Sequence, residues 1–117
     1  MKILIVEDDK LLQQALQTKF EDQGADSTVS GNGQDAIEHL KNEKYDALVL
    51  DLLMPEVDGF EVLKQKKETQ NADTLTFVVS NLEAEHNYKR AKDLGADHCL
   101  LKSEISLKEL VEKVMKD

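Results

Sequence analysis

Three stretches of this chain, Ile3-Leu4-Ile5-Val6, Ala47-Leu48-Val49-Leu50 and Phe77-Val78-Val79, are continuously apolar rather than alternating. Unbroken runs of this length suit strands covered on both faces, as in a parallel sheet. They predict strands over Lys2–Val6, Ala47–Leu50 and Leu75–Ser80. Between them the apolar positions fall at helical spacing. Leu12, Ala15, Leu16 and Phe20 predict a helix from about Asp9 to Gln23, with Gly24 as its stop. Ala36, Ile37 and Leu40 mark a second helix, and Phe60, Val62 and Leu63 a third that begins near Gly59 and fades between Lys64 and Gln70. A polar fourth helix, roughly Ala84 to Leu94, ends at Gly95. Ser106-Leu107-Lys108-Glu109 has the form of a capping box and opens a final helix carrying Leu107, Leu110, Val111 and Val114. Two further strands are weaker: Asp26–Ser30, whose polarity suggests a sheet edge, and Asp97–Leu101. Strand and helix thus alternate, which predicts an α/β domain built on a five-stranded, parallel, doubly wound sheet.

In such a sheet the C-terminal strand ends lie along one edge, where these folds put their chemistry. Three of those ends carry charge here. Glu7-Asp8-Asp9 follows the first strand, Asp51 follows the third, and Lys102 follows the fifth. Carboxylates distant in sequence therefore converge beside one ammonium. Crowded like charges are unfavourable unless a cation joins them or one carboxylate takes a proton. Oxygen-only ligands suit a hard ion, Mg²⁺ before Zn²⁺. Asp9 is read instead as the cap of the following helix. Pro55 and Asp58-Gly59 stop the strand that delivers Asp51 and turn the chain.

Composition narrows the function classes. With 117 residues, no internal repeat and no linker, one domain spanning residues 1–117 is expected. Acidic residues outnumber basic ones 24 to 15, for a formal charge of −9, which argues against nonspecific binding to nucleic acid or anionic membrane. Soluble protein partners fit better. The single cysteine, Cys99, cannot form an internal disulfide and reads as a buried thiol, compatible with a reducing cytoplasm. No apolar run approaches the length of a membrane span or signal peptide. His39, His86 and His98 lack metal-ligand spacing, and Gly31-Asn32-Gly33 lacks the lysine and hydroxyl of a phosphate-binding loop.

The acidic pair Glu7-Asp8, the D-x-x-M-P-x-x-D-G stretch from Asp51 to Gly59, Ser80 and Lys102 together resemble the receiver domain of two-component response regulators, in the family's order and spacing and over the whole chain. The resemblance implies a flavodoxin-like (βα)5 fold with strand order 2-1-3-4-5, the order of the chemotaxis receiver. It implies that Asp51 accepts a phosphoryl group from a sensor histidine kinase, a phosphotransfer protein or a small acyl phosphate. It also implies that Asp8 and Asp51 bind Mg²⁺ directly, that Glu7 acts mostly through bound water, and that the Leu53 carbonyl completes the protein ligands. Ser80 and Lys102 would hold phosphoryl oxygens. The output partner is unspecified.

Departures from the family pattern carry their own expectations. Ser103 stands where proline usually follows the lysine, so a trans peptide is expected, because a cis bond before a non-proline residue is disfavoured by ~2.5–4 kcal/mol. Cys99 replaces the aromatic residue that usually couples phosphorylation to the surface, and Asn81 replaces a small alanine beside the site. Leu53 and Leu82 stand where polar residues can orient a hydrolytic water, which predicts a long-lived phosphorylated state. Two rivals follow. One is a scaffold with the receiver fold whose binding is not switched by phosphorylation. The other is an aspartate-nucleophile phosphatase, which wants a second aspartate where Leu53 stands.

Overall fold

The computed structural model describes residues 1–81 and 85–116. Strands β1 (Lys2–Val6), β2 (Asp26–Ser30), β3 (Ala47–Leu50), β4 (Leu75–Ser80) and β5 (His98–Leu101) alternate with helices α1 (Lys10–Asp22), α2 (Gly33–Asn42), α3 (Gly59–Lys66), α4 (Glu85–Asp93) and α5 (Leu107–Lys116). The strands form one parallel sheet in the order β2-β1-β3-β4-β5. This is the flavodoxin-like order expected from the resemblance. No helix among the described residues is long and apolar enough to cross a membrane.

The continuous apolar runs are explained by two separate cores, one on each sheet face. Leu4, Val6, Leu48, Leu50 and Val78 pack with residues of α2, α3 and α4, including Leu40, Leu63 and Ala91. Their neighbours Ile3, Ile5, Val49, Phe77 and Val79 pack on the opposite face against Leu16 and Phe20 of α1 and Leu110, Val111 and Val114 of α5. Every residue of β3 is buried, as a central strand requires. β2 lies at the predicted edge. β5 occupies the other edge, and its residues are only half-buried. Cys99 is accordingly half-buried rather than enclosed, with its sulfur 3.8 Å from the Tyr88 carbonyl oxygen.

The expected caps are present, and the remaining element ends shift by a few residues. Asp9 sits outside α1 and accepts from the Leu11 and Leu12 N–H groups at 3.0 and 3.3 Å, and Gly24 follows the helix at φ 84°. Ser106 and Glu109 exchange the two hydrogen bonds of a capping box at 3.1 Å each. α3 ends at Lys66 rather than fading to Gln70, and the buried Lys66 Nζ donates to the Ala72 carbonyl at 3.0 Å. β5 begins at His98; the Asp97 carboxylate is engaged by the Thr76 N–H at 2.7 Å. α4 ends at Asp93, while Ala84, its predicted start, and Leu82 lie outside the described residues.

Candidate phosphoryl-acceptor and metal site

The parallel registers bring the predicted residues to one edge. Val6 pairs with Leu50 and Ser80 with Leu101, so the residues that follow these strands emerge side by side. The Asp51 N–H donates to the Val6 carbonyl at 3.0 Å, and the Glu7 N–H to the Ser30 carbonyl at 3.0 Å. Both acids therefore leave the sheet from fixed backbone. Ser80 is fully buried at the end of β4, in register with the residue before Lys102.

Glu7, Asp8 and Asp51 each offer a carboxylate oxygen, and these atoms lie within 4.8 Å of one another. Glu7 and Asp51 are 3% and 5% exposed, whereas Asp8 is open to solvent. Such a half-enclosed, oxygen-only trio fits Mg²⁺, which keeps several waters and takes few protein carboxylates. Lys102 joins two of the three: its Nζ lies 2.7 Å from Glu7 Oε1 and 3.1 Å from Asp51 Oδ2. Burial raises the Glu7 pKa, while the Lys102 ammonium and the Asp9 N–H act against it and Asp51 adds to it. Burial pulls the Lys102 pKa down, but its hydrogen bonds to Glu7 and Asp51 outweigh burial and the net shift is upward. An ammonium thus stabilises carboxylates that would otherwise repel one another.

The turn after β3 is held by local contacts. The Leu53 N–H donates to Asp51 Oδ1 at 3.1 Å, the Gly59 N–H to the Leu52 carbonyl at 3.0 Å, and Asp58 caps α3 through the Glu61 N–H at 3.0 Å. A Cβ on Gly59 would sit 2.7 Å from both the Asp51 carbonyl oxygen and Leu52 Cα. Asp58-Gly59 is therefore a cap followed by a close backbone approach, a more specific role than the turn read from sequence. Glu56 takes φ 65° in the same loop. The Leu53 side chain is 52% exposed.

The Lys102-Ser103 peptide is trans, as expected, and a 3₁₀ turn over Lys102–Glu104 carries the chain from β5 toward α5. Three features were not read from the sequence. The Gln13 amide donates to the Glu7 carbonyl, the Leu53 N–H holds Asp51, and a cavity of about 450 Å³ opens beside Glu7, Asp51 and Lys102 between α1 and α5. Capping statistics flag Asp9 and Ser106, but no periodicity flags Gln13 or an under-filled space.

A family model for the response regulator receiver domain matches residues 3–115. The chain is 36% identical over 112 residues to the response regulator SaeR of Staphylococcus aureus, covering 96% of this chain and 48% of SaeR. It therefore spans about half the length of that relative. Among solved structures, the receiver domain of the Francisella response regulator 1452 superposes with a TM-score of 0.88 at 35% identity, covering 98% of this chain and 93% of that one. A CheY-like receiver domain protein from Methanospirillum hungatei superposes with a TM-score of 0.91 at 21% identity, covering 98% and 90%, and supports the fold.

Proposed function

Because this chain belongs to the response regulator receiver family of two-component signalling, we propose that it accepts a phosphoryl group on Asp51 and signals through altered protein contacts. The observation that carries this is the convergence of Glu7, Asp8 and Asp51 on one site with Lys102 between two of them. Residues 1–117 would act as one receiver domain. The donor would be a sensor histidine kinase or a phosphotransfer protein, with an output protein of unspecified identity downstream. Neither nucleic acid nor membrane is invoked, and the setting is the cytoplasm.

Glu7, Asp8 and Asp51 would hold Mg²⁺ together with the Leu53 carbonyl. When bound, Mg²⁺ would offset the negative charge that acceptor and donor bring together. An Asp51 carboxylate oxygen attacks phosphorus in line with the leaving group; the new P–O bond forms as the donor's P–N bond breaks, and the donor imidazole keeps the electron pair. Lys102 turns from its carboxylate partners to a phosphoryl oxygen, and the Ser80 hydroxyl donates to another. No side chain need act as a base. Later loss of the group uses an in-line water.

The non-switching scaffold remains as a second reading because Cys99 occupies the usual aromatic position, half-buried at the sheet edge. Capture of partners with and without beryllofluoride separates the two: equal capture favours the scaffold. The primary test is Mg²⁺-dependent labelling by acetyl phosphate. Labelling that is lost with a chelator and in Asp8→Ala supports the assignment; labelling indifferent to both contradicts it.

A further inference from the structure

The cavity beside the acidic site is poorly matched to what surrounds it. Its walls are largely apolar, including Leu12 and Leu16 of α1, Val49, Val79, Ile105 ahead of α5 and Leu107 at its start, while Glu7, Asp51 and Lys102 form one end. Leu12, Ile105 and Leu107 pack against the core yet are only partly buried. The cavity's volume of about 450 Å³ falls within the ~300–1,000 Å³ usual for small-molecule sites. Besides the acidic end, water there would find polar partners at the exposed Asn81, Ser103 and Ser106.

Charge selects the occupant. Two carboxylates, Glu7 and Asp51, face one ammonium, Lys102, at the polar end, and the exposed Asp8 carboxylate stands within 4.8 Å of both acids outside the cavity lining, which leaves an excess of negative charge. An anion would be repelled, and a neutral molecule would leave that charge uncompensated. We propose that this cavity binds an amphipathic organic cation, an aryl- or branched alkyl-ammonium, with its apolar body between α1 and α5 and its nitrogen at Glu7 and Asp51. Such a ligand competes with Mg²⁺ and so restrains phosphorylation. The competition rests on the metal site proposed above.

The probe is 2-phenylethylamine, titrated into the full chain by ligand-observed NMR beside 2-phenylethanol and 3-phenylpropanoate. The amine should bind at least ~10-fold tighter than the alcohol, with the carboxylate weakest. Mg²⁺ at tenfold its own dissociation constant should raise the amine's apparent Kd about elevenfold. Ile105→Phe and Leu107→Phe each add bulk to the cavity from a partly exposed position; in variants shown to be folded by circular dichroism, either should weaken the amine at least ~10-fold while leaving Mg²⁺ affinity unchanged. Equal binding of amine and alcohol, amine binding indifferent to Mg²⁺, or folded phenylalanine variants that bind the amine normally would overturn the inference. Acetyl phosphate labelling without amine separates the two proposals. Failure there removes the phosphoacceptor assignment, whereas a protein that binds Mg²⁺, is labelled and ignores the amine overturns this inference alone.

Discussion

Lys102→Met removes the only cation that the described residues place between Glu7 and Asp51. Its Nζ lies 2.7 Å from one carboxylate and 3.1 Å from the other, and its side chain is 21% exposed. At an effective dielectric of about 20, these contacts represent roughly 6 and 5 kcal/mol of gross attraction. Much of that offsets the desolvation of three charges, and an orphaned Glu7 can take a proton, which burial already favours. The net loss should therefore sit at the low end for a broken buried pair, about 3 kcal/mol without Mg²⁺. Mg²⁺ changes the outcome. It would meet three carboxylates with no competing ammonium, so it should bind Lys102→Met at least ~10-fold more tightly, equivalent to ~1.4 kcal/mol. Urea denaturation of parent and variant, each in chelator and in saturating Mg²⁺, reads both effects. A destabilisation that is large in chelator and mostly recovered in Mg²⁺ supports the account. Equal destabilisation in both conditions, or none in chelator, would mean that Lys102 does not balance this charge.

Three other perturbations probe the surroundings. Gly59→Ala should destabilise by about 2 kcal/mol by urea denaturation and slow labelling of Asp51, because the added Cβ meets the Asp51 carbonyl oxygen and Leu52 Cα at 2.7 Å and can relax only by moving backbone. Lys66 is 3% exposed, and burial first among the causes lowers its pKa from 10.5. The folded state then binds fewer protons between that lowered value and 10.5, so its stability rises with pH across the window. Lys66→Met should lack that rise and be more stable at pH 7 by roughly 1 kcal/mol, since Ala72 is exposed and its carbonyl can accept from water; a variant no more stable than the parent at pH 7 would contradict this. Leu53→Asn should speed loss of the phosphoryl group by roughly tenfold, ~1.4 kcal/mol in barrier, by giving the hydrolytic water a partner at a 52% exposed position; unchanged decay measured by intact mass would dismiss that side chain as a shield.

The central strands were legible because their two covered faces demand unbroken apolar runs, and β2 because an edge tolerates polarity. Caps were legible where one residue type does the work, as at Asp9 and Ser106. Lys102 is different. Alone it reads as a solvated lysine, and its contact with Asp51 spans 51 positions, arising only through the registers of β3, β4 and β5. Cys99 was misjudged for a related reason: an apolar pattern does not reveal that β5 is an edge whose residues stay half-exposed. Lys66, at the end of α3, and Asn71, beyond it, read as solvated polar residues, yet both are buried, Asn71 with its amide on the Leu40 and Glu43 carbonyls at 2.7 and 2.6 Å. The cavity was invisible because volume is a difference between packed shapes, and no residue pattern encodes it.

Phosphoryl transfer to Asp51 is the central claim, and site-resolved mass spectrometry tests it most directly. The protein is treated with acetyl phosphate and Mg²⁺, the acyl phosphate is trapped by borohydride reduction to homoserine, and peptides are sequenced alongside Asp51→Asn. Conversion confined to position 51 and absent from the variant is the predicted result. Homoserine at position 8, the one-carbon-longer alcohol at Glu7, or full labelling of Asp51→Asn would contradict it.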